Sequence, residues 1–477
     1  MNHRPDIRRE KTTKMKTKQW LVITLIGAQS AAASLSRAQS ATNNPADLEE
    51  LKEQIQTLQE KVDALENQQQ QQTEAASQAA IKPTASLTVG ADGVNFRSAN
   101  SNFVAGLHAW VQVDSRTFFQ DEHSAGIDGF LLRRARLIYT GTLFHDFDYN
   151  FTPEFAGSSP QILDAYLNYH YRPELQLQFG KFKPPVGLEA LQPDIYTFLN
   201  ERSIATDLVP YRDIGAELHG DIFGGVLSYA GGVFNGMPDY NTTTINANDQ
   251  NDLAFAGRII ISPFKQTSIA PLKGLGAGVS GTYEYDHTNS AAAGLTPGYT
   301  TDGQQKFFTY SATTLPDGPH WRVSPQGYYF WGPFGLIGEY VVSDQRVEDN
   351  ATLAKADLHN TAWEVSGGWV LTGEQDSYAN GVIPRHPFSI EDGGWGAWQI
   401  VGRFERLNVD DGAFPAYAST TGSASRAEAW SVGLNWYLNA DLRANLSFSH
   451  TIFSGGTTGA VTLHPEDVFF TRVQLAF

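Results

Sequence analysis

The chain is predicted to be an all-β protein, a transmembrane antiparallel β-barrel of about 16 strands preceded by a short N-terminal coiled-coil helix. Three observations carry this. Its last segment alternates strictly, with Phe469, Thr471, Val473, Leu475 and Phe477 on one parity and Arg472, Gln474 and Ala476 on the other, as a strand with one apolar and one wet face requires. Its composition, with Gly 44, Trp 10, Tyr 19 and Phe 28 against 18% charged residues, favours turns and aromatic girdles over helices. And no apolar run of about 18 residues occurs, which excludes helical membrane spans, whereas a barrel hides its lipid affinity in an alternation that a hydropathy window averages away. The absence of cysteine fits an oxidising compartment without requiring one.

Taken in order, residues 1–38 are expected to be a signal peptide. Lys14, Lys16 and Lys18 precede an apolar stretch from Trp20 to Ala28, and Ser36-Arg37-Ala38 offers small residues before a cut. Cleavage is expected after Ala38, with Ala33 as the competing site, and the long basic lead leaves Met15 open as an alternative start. Removing residues 1–38 takes away 8 basic and 2 acidic residues, so the net charge moves from −17 to −23, which argues against a nucleic-acid partner.

Residues 39–82 are expected to be a periplasmic coiled coil and polar tether. Leu48, Leu51, Ile55, Leu58, Val62 and Leu65 recur at spacings of three and four. A lone amphipathic helix packed on another body is the competing reading. The tract from Gln68 to Gln72 and the Ala-Ser stretch up to Pro83 are expected to be flexible. Ile and Val at one seam position with Leu at the other favour two strands in isolation.

Residues 83–477 are expected to be the barrel, and from about Phe103 onward the alternation recurs to the end. One hairpin runs Trp430, Val432, Leu434, Trp436 and Leu438, turns at Asn439-Ala440-Asp441 and returns through Leu442, Ala444, Leu446 and Phe448, with Asn435, Arg443, Asn445 and Ser447 on the other face. A second carries Leu163, Ala165, Leu167, Tyr169 and Tyr171, turns at Arg172-Pro173-Glu174 and returns through Leu175, Leu177 and Phe179. Further tight turns fall at Phe223-Gly224 and Trp331-Gly332-Pro333-Phe334. They alternate with long polar connections near 184–212, 236–252 and 287–319, so short turns are expected at one end and long loops at the other. A barrel of this size leaves an aqueous channel.

Six segments in order, GFLLRRARL (129–137), GKFKPPVGLE (180–189), SPQGYY (324–329), LTGE (371–374), GAW (396–398) and GLNWYL (433–438), resemble the phosphate-selective porin O and P family. The terminal Phe resembles the closing residue of barrels assembled into the outer membrane of Gram-negative bacteria. The resemblance implies a homotrimeric 16-stranded porin in the cell outer membrane, its N-terminal segment in the periplasm, with inward loops and basic side chains selecting phosphate or polyphosphate. The partners so implied are phosphate or other small anions and outer-membrane lipid. No cofactor and no metal is expected.

An anion shedding water in a narrow pore needs guanidinium or ammonium donors. Arg134 and Arg136 lie opposite Ala135, Leu137 and Tyr139 and are expected to face the lumen, where pairing with lumen acids is the competing role. Arg133 has the outward parity and is expected at a rim. Lys183 opens the connection that Pro184 and Pro185 exclude from the ladder. Arg202 and Arg212 lie in the same connection with Glu189, Glu201, Asp207 and Asp213. Arg403 and Glu405 read as a lumen pair. The acidic balance and the lack of a dense basic run keep a general or cation-preferring porin open, and the coiled coil keeps open an envelope-tethering role. Gly276-Ala277-Gly278-Val279-Ser280-Gly281 matches GxGxxG, but no helix is expected after it, so it reads as a small-residue barrel face and no enzyme is expected.

Overall fold

The computed structural model describes residues 45–81, 85–91, 93–119, 126–236, 252–288, 296, 298–419, 422–456 and 463–477. The expected signal peptide and its cleavage sites lie outside these residues. The chain divides into two units, one ending at Pro83 and one running Thr84–Phe477.

In the first unit a single helix, α1, spans Pro45–Ile81. It runs on through the polar tract where a flexible tether is expected, because Gln and Ala are good helix formers and no Gly or Pro interrupts them. Leu51, Ile55, Leu58, Val62 and Leu65 are all exposed along it.

The second unit is built around a closed antiparallel barrel of 16 strands. A small hairpin, β1 (Ser86–Gly90) and β2 (Gly93–Arg97), comes first. The wall then follows in chain order as β3 (Phe103–Phe118), β4 (Gly129–Leu143), β5 (Phe147–Glu154), β6 (Gln161–Arg172), β7 (Leu175–Phe182), β8 (Asp213–Ile222), β9 (Leu227–Phe234), β10 (Ala254–Ile261) and β11 (Leu275–His287). After a two-stranded ribbon, β12 (Tyr299–Thr300) and β13 (Lys306–Phe308), it continues with β14 (Thr314–Trp331), β15 (Phe334–Asp349), β16 (Ala354–Val370), β17 (Ala397–Asn408), β18 (Arg426–Tyr437), β19 (Leu442–Ser454) and β20 (Glu466–Ala476). β20 pairs with β3 and closes the wall, and Phe477 exchanges backbone hydrogen bonds of 2.9 and 3.1 Å with Ala109. Beyond Phe477, β2 takes over the same edge of β3, pairing Val94 with Leu107.

The alternation holds through the seam: Val473 and Leu475 are exposed on the outside, and Arg472 and Gln474 are buried within. It fails at two of the wall's four register shifts. Between Gln112 and Val113 the β3–β4 register skips Arg133, and between Thr152 and Pro153 the β5–β6 register skips Leu163. An extra residue shifts everything beyond it by one position. Arg133, expected at an outward rim, therefore reaches an inward carboxylate, and Leu163 is buried and lines a lumen cavity.

The division into short and long ends is also incomplete. The 371–396 connection lies at the tight-turn end, while β15 and β16 are joined at the other end by residues 350–353 alone. The reason is that part of this connection turns inward: Gln399 donates to Asp376 at 2.8 Å, and Tyr378 donates from its hydroxyl to the Leu188 carbonyl at 2.6 Å, while Ile383, Ile390 and Trp395 stay exposed. The 288–313 connection is shorter than expected because β14 begins at Thr314, and its described part from residue 298 turns inward from the opposite end with Tyr299, Phe307 and Phe308 buried.

Candidate functional site: the constriction

The 183–212 connection is the third inward segment and nearly all of it is buried. Pro184 and Pro185 remove the donors that would prolong β7. At Gly187 the backbone takes φ 78°, its N–H donates to Ser280 Oγ at 3.2 Å, and an added Cβ would meet Ala190 Cβ at 3.0 Å, so glycine is required.

A buried irregular segment must have its backbone groups satisfied, and here wall charges do it. Glu339 accepts from the N–H groups of Leu188 at 2.8 Å and Glu189 at 3.0 Å, and Glu405 accepts from Ile204 at 2.7 Å. Arg443 donates to the carbonyls of Thr197 at 2.9 Å and Phe198 at 3.0 Å, Arg403 to that of Glu201 at 3.0 Å, and Arg472 to that of Asn200. Arg403 also pairs with Glu405 at 3.2 Å, as the sequence predicts, and with Asp302 of the 288–313 connection at 2.6 Å.

Two carboxylates of the connection gather the cations. Asp194 receives Arg134 at 3.2 Å, together with Arg136 and Arg202, and the Tyr211 hydroxyl donates to it at 3.2 Å. Glu201 is held by Arg133 through two bonds of 2.7 and 2.8 Å and by Arg472 at 2.9 Å. Burial alone would raise both carboxyls. The guanidinia around them nevertheless hold both well below the usual carboxylate range, and both belong to the connection rather than to a spanning strand.

The five candidates of the sequence thus come together. Arg134 is buried and also donates to Gln112 at 2.6 Å; Arg136 also donates to Glu154 at 2.7 Å; Arg212 grips Asp164 through bonds of 2.9 and 3.0 Å. Arg212, Lys183 and Arg202 surround the Tyr211 ring at 4.6, 4.9 and 5.3 Å from its centre. Lys183 differs from the arginines. Its ammonium donates to the carbonyls of Ala190 at 2.5 Å and Gln192 at 3.4 Å, and among the described residues no carboxylate oxygen lies within 4.0 Å of it.

Three cavities follow one another along the inner wall from β3 to β10. The first, of about 450 Å³ at the loop end, is lined by Arg116, Arg133, Arg136, Glu154 and Tyr211. The second, of about 370 Å³, shares Arg136 with it and adds Lys183, Asp194, Arg212 and Glu217. The third, of about 290 Å³ toward the turn end, shares Lys183, Leu191 and Glu217 with the second and adds His219 and Arg258. Arg258 is a residue the sequence reading missed. It stands on the wet parity of β10 with Ala254 and Ala256, donates to Gln326 at 3.1 and 2.9 Å, and has no carboxylate oxygen within 4.0 Å among the described residues. Its solitary place among Gly and Ile gave no cue beyond parity.

Glu284, Asp286 and His320 also converge, across β11 and β14. Arg322 donates to Glu284 at 2.5 Å and lies 3.2 Å from His320 Nδ1, so a guanidinium already fills the cation position there.

A closed 16-stranded barrel with an inward-folded connection and a charged passage beside it defines a porin of the Gram-negative outer membrane. The phosphate-selective porin O and P family model matches residues 106–477, and the chain belongs to that family. It is 23% identical over 427 residues to porin O of Pseudomonas aeruginosa, covering 81% of this chain and 91% of that one. In fold it is similar to the outer-membrane channel DcaP of Acinetobacter baumannii, with a TM-score of 0.50 at 11% identity over 80% of this chain and 99% of that one. It is likewise similar to Salmonella typhi OmpF in a complex with daunomycin, with a TM-score of 0.50 at 10% identity over 79% of this chain and 99% of that one.

Proposed function

We propose that this porin passes small anions, phosphate among them, by passive diffusion past Arg136, Lys183 and Arg212, with Arg134 and Arg202 fixing the field behind them. The observation that carries this reading is Lys183, which borders two successive cavities, donates to carbonyls and has no carboxylate oxygen within 4.0 Å among the described residues; burial pushes its ammonium down to about 7, so its charge is fullest below neutral pH. Ions in a narrow, low-dielectric passage feel such a charge strongly. The family's description as phosphate-selective supports the same sign.

A homotrimer is the assembly we propose. The exposed stripe of Leu51, Ile55, Leu58, Val62 and Leu65 on α1 suits packing against copies of itself in the periplasm. Removal of residues 1–38 as a signal peptide belongs to the same reading.

The net charge of −17 and the carboxylate facing almost every lumen arginine favour a general or cation-preferring porin as the second reading. A planar bilayer under a KCl gradient decides between them. A reversal potential of anion-selective sign, with chloride current reduced by added phosphate, is expected; cation-selective sign without phosphate block overturns the anion assignment.

A further inference from the structure

Apolar side chains interrupt the wet face of the open wall in all three cavities, Leu163 in the first and Ile260 in the third, and four of them gather in the middle one. Trp110 on β3, Ile138 on β4, Tyr166 on β6 and Phe182 on β7 occupy inward positions whose neighbours two residues away are Gln112, Arg136, Asp164 and Gly180. All four line the middle cavity, and Leu191 and Pro193 of the constriction connection join them there. An aqueous passage has no need of six apolar groups gathered in one chamber. The clustering points to a solute with an apolar body.

The charge pattern narrows the other end of that solute. Arg136 is engaged by Glu154 and Asp194, whereas Arg212 grips Asp164 through Nε and Nη2 and leaves its buried Nη1 without a hydrogen bond among the described residues. An ammonium has three donors. Lys183 directs two at carbonyls, which leaves one. That donor and Arg212 Nη1 match the two oxygens of one carboxylate, while Asp164, Asp194 and Glu217 in the same lining oppose the higher charge of a phosphate. Size agrees, since about 370 Å³ is many times the roughly 30 Å³ share of one water.

We propose that the middle cavity is a subsite for small organic monocarboxylates, with an aromatic or branched apolar body against Trp110, Ile138 and Leu191 and the carboxylate on Lys183. Arg136 lies over the Trp110 ring at 5.8 Å and fixes the face that the body meets. The proposal rests on the anion reading above and names a solute class for the same passage.

The test uses the full-length protein in planar bilayers, with chloride current titrated by sodium benzoate, acetate and phosphate. Benzoate is expected to reach half-block at a concentration about fivefold or more below acetate, the gain from burying a ring. Trp110→Ala, and separately Leu191→Ser, are expected to abolish that preference; the second, on the connection rather than the wall, keeps the test alive if the first fails to insert. Equal block by benzoate and acetate in an anion-selective channel overturns the subsite and leaves the anion reading standing. A cation-selective wild-type channel overturns the anion reading, and the subsite with it.

Discussion

The two sides of the lumen are built from the same residue types for opposite ends. Along β15 to β20 the inner face is covered: Val341, Leu358 and Leu407 are fully buried against the inward connections, and Glu339, Arg403, Glu405, Arg443 and Arg472 reach backbone groups of the 183–212 connection. Burying each such aliphatic contributes about 1.5–3 kcal/mol. Along β3 to β10 the wall is left open as three successive cavities, and Lys183 and Arg258 border them without a carboxylate partner among the described residues. A lumen arginine is therefore not by itself evidence of ion selection. Charge fastens the buried loop from both sides, through its backbone on the covered side and through Asp194 and Glu201 on the open one, and only on the open side do Lys183 and Arg258 face the passage.

The largest effect is expected on the covered side. Arg403 serves Asp302, Glu405 and the Glu201 carbonyl at once, and Glu189 lies 3.6 Å away. Arg403→Met leaves those carboxylates buried without their cation, a loss of about 3–5 kcal/mol. The heat-resistant form of the barrel is expected to unfold at a lower temperature, with noisier single-channel current as the connection loosens. Unchanged heat resistance and a quiet channel would show that Arg403 does not fasten the loop.

On the open side the expectation is reversed, with selectivity changing and stability holding. Lys183→Glu replaces the cation shared by two cavities with an anion, shifting the local energy of a passing ion by on the order of 1 kcal/mol or more. The reversal potential is expected to move toward cation preference without the heat sensitivity of Arg403→Met. Arg258→Gln, in the last cavity, is expected to lower anion current less than Lys183→Glu, because screening by salt is greater near the mouth. If Arg258→Gln has the larger effect, the selective step lies in the last cavity instead.

Much of this contrast was legible in the sequence, and the part that was not has definite causes. Period-two alternation placed Arg134, Arg136, Arg403, Arg443 and Arg472 inside, and the two prolines after Lys183 marked where the wall gives way to the constriction. Arg133 was misplaced because a bulge leaves no cue in one strand read alone; it is a mismatch between two strands. The partners of the arginines were equally hidden. Asp194 meets Arg136 across 58 positions of chain, and Glu201 meets Arg472 across 271. Such distances are closed by the barrel and not by any local pattern. The inward turn at Asp376 and Tyr378 was missed because the Gly, Ser and Asp residues around it read equally well as a surface loop.

The smallest effect on the passage is expected from the most conspicuous feature of the amino end. The barrel closes through β20 and β3, the remaining edge of β3 is occupied by β2, and the cavity linings come wholly from residues beyond 100. Deleting residues 39–82 while keeping the signal segment is therefore expected to leave single-channel conductance and reversal potential as in the wild type. If the exposed stripe on α1 pairs with copies of itself, the same deletion lowers the yield or heat resistance of the trimer, measured by unheated gel electrophoresis and by mass in detergent. The two readouts separate the functions of the units: loss of conductance in a correctly inserted deletion protein would show that the helix helps build the pore, whereas a lost trimer with intact current per barrel assigns it to assembly alone.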